Sequence, residues 1–302
     1  MWRQPAASNR AGVQVSPEPE IETNEIPRNP NLRQVGGPTA LGGGSRRFFE
    51  LLYLIAVTDF KKTYFGTVLG YFWSLLRPLA LFAVLLFVFT QIFRIGSEVE
   101  NYPMLLLMNI VVFAAFQEST IASVTSVVSQ EGIVRKTQFP RLVIPLAVVT
   151  TAFLNLGVNL IAVVVFLLAY GVDPTWTWLL FPFILLLLLI LSTAVAMILS
   201  SLFVRFRDVG IIWSVAVAAL FYGSPVLYPL EIVPEKYRDI IMANPLTPLF
   251  EQSRQWVIDP GAPGALVDGW TPLIIPATIF IVVCVYAIRV FRREAPRIAE
   301  DL

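Results

Sequence analysis

Between Leu142 and Val204 lie 63 residues that contain a single charged side chain, Asp173. A soluble domain places a charge at about every fourth position, so no water-exposed fold accommodates such a run. The rest of the chain agrees, with 14% charged and 56% hydrophobic residues over 302 positions. The expected fold class is therefore an all-α integral membrane protein.

A spanning helix needs about 20 largely uncharged residues, because each residue rises about 1.5 Å through an apolar layer about 30 Å thick. Uncharged windows run from Leu142 to Val172, Pro174 to Val204, Val209 to Leu230 and Gly269 to Ile288. Asn101 to Gln130 is interrupted only by Glu118, and Pro78 to Phe93 extends backward past Arg77 to Leu69. Six spans are expected, at about 70–94, 102–128, 142–171, 175–203, 209–229 and 270–291. An even number returns both termini to one side. Of the 22 Lys and Arg residues, 17 fall on that side and four on the other, with Arg77 in a span, which places both ends of a multi-pass membrane protein in the cytosol. Residues 1–45, rich in Pro, Gly and Asn, read as a disordered cytosolic tail, and 293–302 as a second tail.

Two segments are neither span nor simple loop. Residues 46–65 carry Phe49, Tyr53, Ala56, Phe60 and Tyr64 at helical spacing between charged ends, the pattern of an amphipathic helix lying in the interface. A soluble helix docked on another domain is the competing reading. Within the outer region 230–256, Ile240 to Phe250 is apolar but too short to cross, and its Asn244-Pro245 and Thr247-Pro248 pairs break a helix. It reads as a broken, re-entrant helix pair before the last span, or as an outer loop with an apolar patch.

Chemistry is sparse. The chain has no histidine, and its one cysteine, Cys284, lies in an apolar run, so no intrachain disulfide exists and no metal site is expected. A net charge of +1 offers no field for nucleic acid. Glu118 is the main ionisable residue within the spans, either a helix-to-helix hydrogen bond or a pore-lining group. The 129–141 loop is short, basic and carries Ile133, Val134 and Phe139. It suits docking into a partner's groove, although a plain positive-inside loop shares its charge.

Three stretches, in this order, resemble the permease subunit of ABC-2 type polysaccharide exporters, the family of O-antigen, capsule and teichoic-acid export. They are Thr63-Tyr-Phe-Gly-Thr-Val-Leu-Gly-Tyr-Phe-Trp-Ser-Leu-Leu-Arg-Pro78, then Gly132-Ile-Val-Arg-Lys-Thr-Gln-Phe-Pro-Arg-Leu-Val-Ile-Pro145, and Arg207-Asp208 through Ser224-Pro-Val-Leu-Tyr-Pro229 to Asn244-Pro-Leu-Thr-Pro-Leu-Phe-Glu-Gln-Ser-Arg254. The resemblance covers 46–292, the expected transmembrane domain. It implies a half-transporter of the bacterial cytoplasmic (inner) membrane, two copies of which form a channel above two copies of a separate ABC ATPase. No Walker A motif occurs in this sequence, so no cofactor is expected in this chain, with ATP and Mg bound by the partner ATPase. The implied substrate is a lipid-diphosphate-linked polysaccharide whose lipid stays in the membrane lipid. Arginines outnumber lysines 18 to 4, the usage of a GC-rich genome, for which cell-wall galactan is a fitting polymer.

The resemblance also implies roles for residues. Glu131, Arg135, Lys136, Phe139, Pro140 and Arg141 fall in the family's ATPase-coupling helix. Tyr228, Pro229, Asn244, Pro245, Pro248 and Arg254 fall in its outer gate. For a sliding glycan with apolar C–H faces, the channel candidates are Trp73, Phe82, Phe89, Phe113, Phe116, Glu118, Trp213, Phe221 and Tyr222. Aromatic rings also gather at lipid interfaces without any substrate role. Arg46, Arg47, Lys61, Lys62 and Arg77 are candidates for the diphosphate entrance, with positive-inside anchoring as the alternative. Two other functions stay open: an integral membrane transferase acting on lipid-linked sugars, and an ABC-2 drug or lipid exporter.

Overall fold

The computed structural model describes residues 44–64, 70, 72–94, 99, 101–130, 142–267 and 269–294. Every regular element among them is helical. The two tails fall almost wholly, and Glu131, Arg135, Lys136, Phe139, Pro140 and Arg141 entirely, outside the described residues.

Helix α1 spans Gly44–Tyr64 and α2 spans Phe72–Phe87, continued by a π turn over Val88–Ile92. Helix α3 covers Tyr102–Ser129 and α4 Val143–Tyr170. A 3-10 turn at Trp176–Leu180 leads into α5, Phe181–Arg205, which is followed by α6, Val209–Gly223. Two short helices follow, α7 at Glu235–Met242 and α8 at Thr247–Val257. Helix α9, Ile274–Glu294, closes the chain's helical part. Five helical segments are long and apolar enough to cross a membrane: Phe72–Ile92, Tyr102–Ser129, Val143–Tyr170, Trp176–Arg205 and Thr271–Arg293.

Helix α3 is apolar on nearly every side, and a helix of that kind belongs in the centre of a bundle. It packs against α2, α4, α5 and α6, and buries Tyr102, Leu105, Leu106, Leu107, Met108, Ile110 and Phe113. Its Ser129 half carries small hydroxyl residues that bond back into their own helix. Ser119 and Thr120 donate to the Phe116 carbonyl at 2.9 and 2.8 Å, Ser123 to Ser119 at 2.6 Å, Ser126 to Ser123 at 2.8 Å and Ser129 to Ser126 at 3.0 Å. Buried hydroxyls are thereby satisfied without leaving the helix. At the end of α4, Gly171 takes φ +92°, a conformation costly for any residue with a Cβ, and its N–H donates to the Leu168 carbonyl at 3.2 Å.

Helix α9 lies on α5 through Ala194, Met197, Ala287 and Phe291. The outward faces of α2, α4 and α9 are rich in exposed Leu, Ile, Val and Phe, as expected of helices whose solvent is lipid. Helix α1 lies along α4, where buried Ala56 permits close approach and the Thr151 hydroxyl donates to the Ala56 carbonyl at 3.2 Å. Phe49 and Tyr53 point away from the bundle. The expected stripe is thus divided between a small contact residue and exposed rings.

The window read as a span over 209–229 is helical only to Gly223. Fifteen residues reach about 22 Å, short of the apolar layer. Pro225 is the reason: it lacks an N–H and holds Ser224 extended, at φ −104° and ψ 157°. The chain then turns through Ser224, Pro225, Val226 and Leu227, all buried. Side chains of α3 satisfy its carbonyls, with Asn109 Nδ2 donating to Pro225 O at 3.0 Å and the Tyr102 hydroxyl to Leu227 O at 2.8 Å. Non-helical backbone among apolar helices is tolerated when protein covers it in this way.

Candidate functional site: a polar cavity between three spans and a charged cluster around two short helices

A cavity of about 580 Å³ lies between α2, α3 and α4. Its space comes from small residues, Ala114, Ala115 and Ala152, at positions where larger side chains would close the helices together. Each helix contributes polar groups at helical spacing. Trp73 and Arg77 stand one turn apart on α2, Glu118 projects from α3, and Asn155 and Asn159 stand one turn apart on α4. Asn155 Nδ2 donates to Glu118 Oε1 at 2.5 Å, and Asn159 Nδ2 donates to the Asn155 carbonyl at 2.9 Å. Glu118 therefore does form a helix-to-helix hydrogen bond, and it also faces an open volume. The two readings are not exclusive.

Sequence reasoning placed Trp73 and Glu118 among the channel candidates and Arg77 at the diphosphate entrance, and the structure brings the three to one cavity. It missed Asn155 and Asn159. Their signal was present, since two amides four residues apart in a window without charge are as conspicuous as Glu118. Lys61 and Lys62, at the exposed end of α1, do not line this cavity, and Lys62 lies 3.7 Å from Asp59. Arg46 and Arg47 belong to the first turns of α1, and their side chains lie outside the described set.

The aromatic candidates sort differently. Phe113 and Phe116 are 1% and 2% exposed, and Phe82 is also buried. Phe113 packs against Phe221 and Phe250 at centroid distances of 5.2 and 6.5 Å, and Phe116 against Trp213 at 6.3 Å. These rings fill the core of one chain, which departs from the expectation that they line an open path. α3 faces α6 and α8 there, and aromatic edges fill the space between the three. Phe89 is partly buried against the same core, whereas Trp73 and Tyr222 are 53% and 66% exposed.

The second polar assembly surrounds α7 and α8. Asn244 at the break accepts from the Leu246 N–H at 3.0 Å and donates to Ser224 Oγ at 2.7 Å, which ties the break to the turn after α6. Pro245 sits at this break, and Pro248 occupies the first turn of α8, where its missing N–H costs nothing. The Tyr228 hydroxyl donates to the Tyr222 carbonyl at 3.2 Å, and Pro229 is buried beside it. Arg254, buried on α8, donates to Glu231 Oε1 at 3.0 Å. One turn before it Glu251, only 5% exposed, accepts from the Leu230 N–H at 2.9 Å. Burial pushes the Glu251 carboxyl up from 4.5 to about 7, against the lowering effect of the Leu230 N–H and Arg254. Glu251 was not among the expected gate residues, although its spacing from Arg254 and its apolar neighbours Leu249 and Phe250 marked it. Among the described residues, no three His, Cys, Asp or Glu side chains gather as a metal site.

Residues 50–257 match the family model of the ABC-2 type transporter. The O-antigen export system permease protein RfbA of Klebsiella pneumoniae is 33% identical over 199 residues, 66% of this chain and 76% of the relative. RfbA of Myxococcus xanthus is 28% identical over 254 residues, 83% of this chain and 95% of the relative. The polysialic acid transport protein KpsM of Escherichia coli is 24% identical over 235 residues, 76% and 89% of the two chains. These relatives are transport permeases, which overturns the transferase alternative. The chain, a multi-pass membrane protein and a transport subunit rather than an enzyme, belongs to the ABC-2 type transporter family.

Proposed function

We propose that this chain is the permease of an ATP-driven exporter that moves a lipid-diphosphate-linked polysaccharide across the cytoplasmic membrane, two copies forming the channel and two copies of a separate ATPase driving it. The observation that carries the reading is the similarity, over 66 to 83% of the chain, to permeases named for O-antigen export and polysialic acid transport. Those names favour a glycan over the drug or lipid of other ABC-2 exporters.

The chemistry of the chain supports it. No Walker A motif occurs in the sequence, so nucleotide and Mg²⁺ belong to the partner, which the 131–141 loop engages. The five long helices and α6 together with Ser224–Pro229 make six crossings, and both termini face the cytosol, where 17 of the 22 basic residues gather. The α7–α8 pair re-enters from the outer side and closes the path between cycles, with Asn244, Glu231 and Arg254 holding it. Arg77, with Lys61 and Lys62, meets the diphosphate at the cytosolic entrance. A neutral glycan offers no charge to grip, so positional change of the helices, powered by the ATPase, drives it.

Deleting the gene in its native host and measuring surface glycan together with cytosolic-leaflet glycolipid tests this reading, with galactan the first polymer to assay. Glycolipid should accumulate inside while surface polymer falls. Unchanged surface glycan with no accumulation refutes it.

A further inference from the structure

Another cavity, of about 200 Å³, opens between α7, α8 and the chain that leads into α9. Arg238 on α7, Glu231 shortly before it, Glu251 on α8 and Pro272 ahead of α9 share its wall. Its depth in the membrane follows from its neighbours. Pro272 lies in the 3-10 turn Thr271–Leu273, with which the apolar segment Thr271–Arg293 begins. Helix α8 is fastened to the start of the Trp176–Arg205 segment by the Thr177 hydroxyl, which donates to the Trp256 carbonyl at 2.5 Å. Two spans thus start beside the cavity, and the largely exposed Trp176 and Trp270 stand at those same ends. Span ends marked by tryptophan lie at the level of the lipid head groups.

The three charged side chains on the wall all keep unused hydrogen-bonding capacity. Glu251 is 5% exposed, and its Oε1 accepts from the Leu230 N–H, whereas its Oε2 has no partner among the described residues and keeps accessible surface. Glu231 accepts from Arg254 on Oε1 only. Arg238 donates from Nε to the Val233 carbonyl and from Nη2 to the Glu231 carbonyl, both at 2.9 Å, which fixes the guanidinium and leaves Nη1 without a partner among the described residues. Such a wall suits neither sign of charge alone. Two carboxylates repel a plain anion, and a metal ion would meet a guanidinium and fewer than three acidic ligands among the described residues. A molecule that carries both signs meets neither objection. A primary ammonium brings three N–H donors to carboxylate oxygens, and a phosphate takes the free edge of a guanidinium. At head-group depth, the compact species with both groups is the phosphoethanolamine end of a membrane lipid. The volume fits a head group rather than a drug-sized molecule, whose sites take about 300–1,000 Å³.

We propose that this cavity is a binding site for the head group of phosphatidylethanolamine, with the ammonium on the free oxygens of Glu251 and Glu231 and the phosphate on Arg238. Choline, whose quaternary nitrogen has no N–H, makes no such bonds to the carboxylates, and a glycerol head brings no positive charge to them. The seated lipid joins α7, α8 and the entry to α9, and so braces the short helix pair against a span. Its recognition is independent of the exported polymer.

The test is a scintillation proximity assay on the full chain in complex with its ATPase, in detergent and sodium buffer at pH 8, above the Glu251 midpoint of about 7. The probe is radiolabelled dioctanoyl-phosphatidylethanolamine. Unlabelled phosphatidylethanolamine, phosphatidylcholine and phosphatidylglycerol of the same chain length compete, as does soluble phosphoethanolamine. The ethanolamine lipid should displace the probe at about one tenth of the concentration the other two lipids need, or less. Glu251→Gln, which keeps an acceptor for the Leu230 N–H, and Arg238→Met should each reduce this preference at least about fivefold. Lys236→Ala, on α7 but outside the cavity wall, should retain it. Thermal melting and retention of the ATPase show that the variants are folded. Equal displacement by the choline or glycerol lipid overturns the assignment, as does a preference that persists in either folded cavity variant or is lost in Lys236→Ala. Displacement by soluble phosphoethanolamine at the lipid's own concentration overturns the lipid as occupant.

Discussion

The α7–α8 helix pair should loosen as pH rises, and the reason is Glu251. Its carboxyl is 5% exposed on α8, and burial raises its protonation midpoint from 4.5 to about 7. A group whose folded midpoint lies above its unfolded one contributes stability that is fully present below the unfolded value and lost as pH rises through the folded value. The window therefore runs from about pH 4.5 to just above 7. The full shift corresponds to about 3 kcal/mol. Between pH 5 and 8 the accessible part is about 2.5 kcal/mol, roughly 70-fold in the equilibrium between closed and opened forms. Glu231 and Arg254 are the charged groups beside it, and their opposite effects oppose each other without removing the burial cost. Glu251→Gln keeps an oxygen for the Leu230 N–H and removes the charge. Hydrogen–deuterium exchange of the α8 amides, corrected for the intrinsic rate at each pH, reads the effect directly. Protection in the wild type should fall by the stated factor from pH 5 to 8, and in Glu251→Gln it should stay level. Wild-type protection independent of pH, or a pH dependence that survives in the glutamine variant, refutes the reasoning.

Tyr102→Phe leaves the buried Leu227 carbonyl without its 2.8 Å donor, and should lower stability by about 1–3 kcal/mol in a denaturation titration in detergent, with new protease sensitivity in the turn after α6. Phe113→Ala opens roughly 100 Å³ among Phe116, Phe221 and Phe250. Because lipid is as apolar as this core, only the void counts, about 2 kcal/mol by cavity volume in the same titration. Ala56→Leu inserts bulk where α1 meets α4 at Thr151, and should release α1, measured as faster exchange of its amides, at a cost of about 1–3 kcal/mol. Tyr222→Ala, at an exposed position, should leave the melting temperature of the isolated chain unchanged within about 0.5 kcal/mol.

Charge-free windows located the helices well, because the physics behind them is one-dimensional: a charge in the apolar layer is costly wherever its neighbours are. The same logic found the helix break at Asn244-Pro245, where two local rules coincide. It overextended α6, since Ser224 to Pro229 is as apolar as a span and only tertiary hydrogen bonds from Tyr102 and Asn109 make its turned form acceptable. The cavity was half legible. Glu118 and Arg77 stood out as charges, while Asn155 and Asn159 are neutral and escaped a search conducted in charges. Phe113 and Phe116 were misassigned to an open path for a related reason, because a ring on a membrane helix faces lipid, a channel or a neighbouring helix with the same sequence pattern. Which of these holds depends on where Phe221 and Phe250 fall in three dimensions.

Helix α3 joins the two halves of the molecule differently at its two ends. Near Tyr102 it is bolted to the turn after α6 by side chains that reach across. Toward Ser129 its hydroxyls are folded back onto their own rod, so a small axial slide there breaks no hydrogen bond made by these hydroxyls and strains the Asn155–Glu118 bond to α4 instead. A push delivered at the Ser129 end would travel about 40 Å along one stiff rod. Among the described residues, such a stroke would pull first on α4 through the Asn155–Glu118 bond and then on the turn that ends α6.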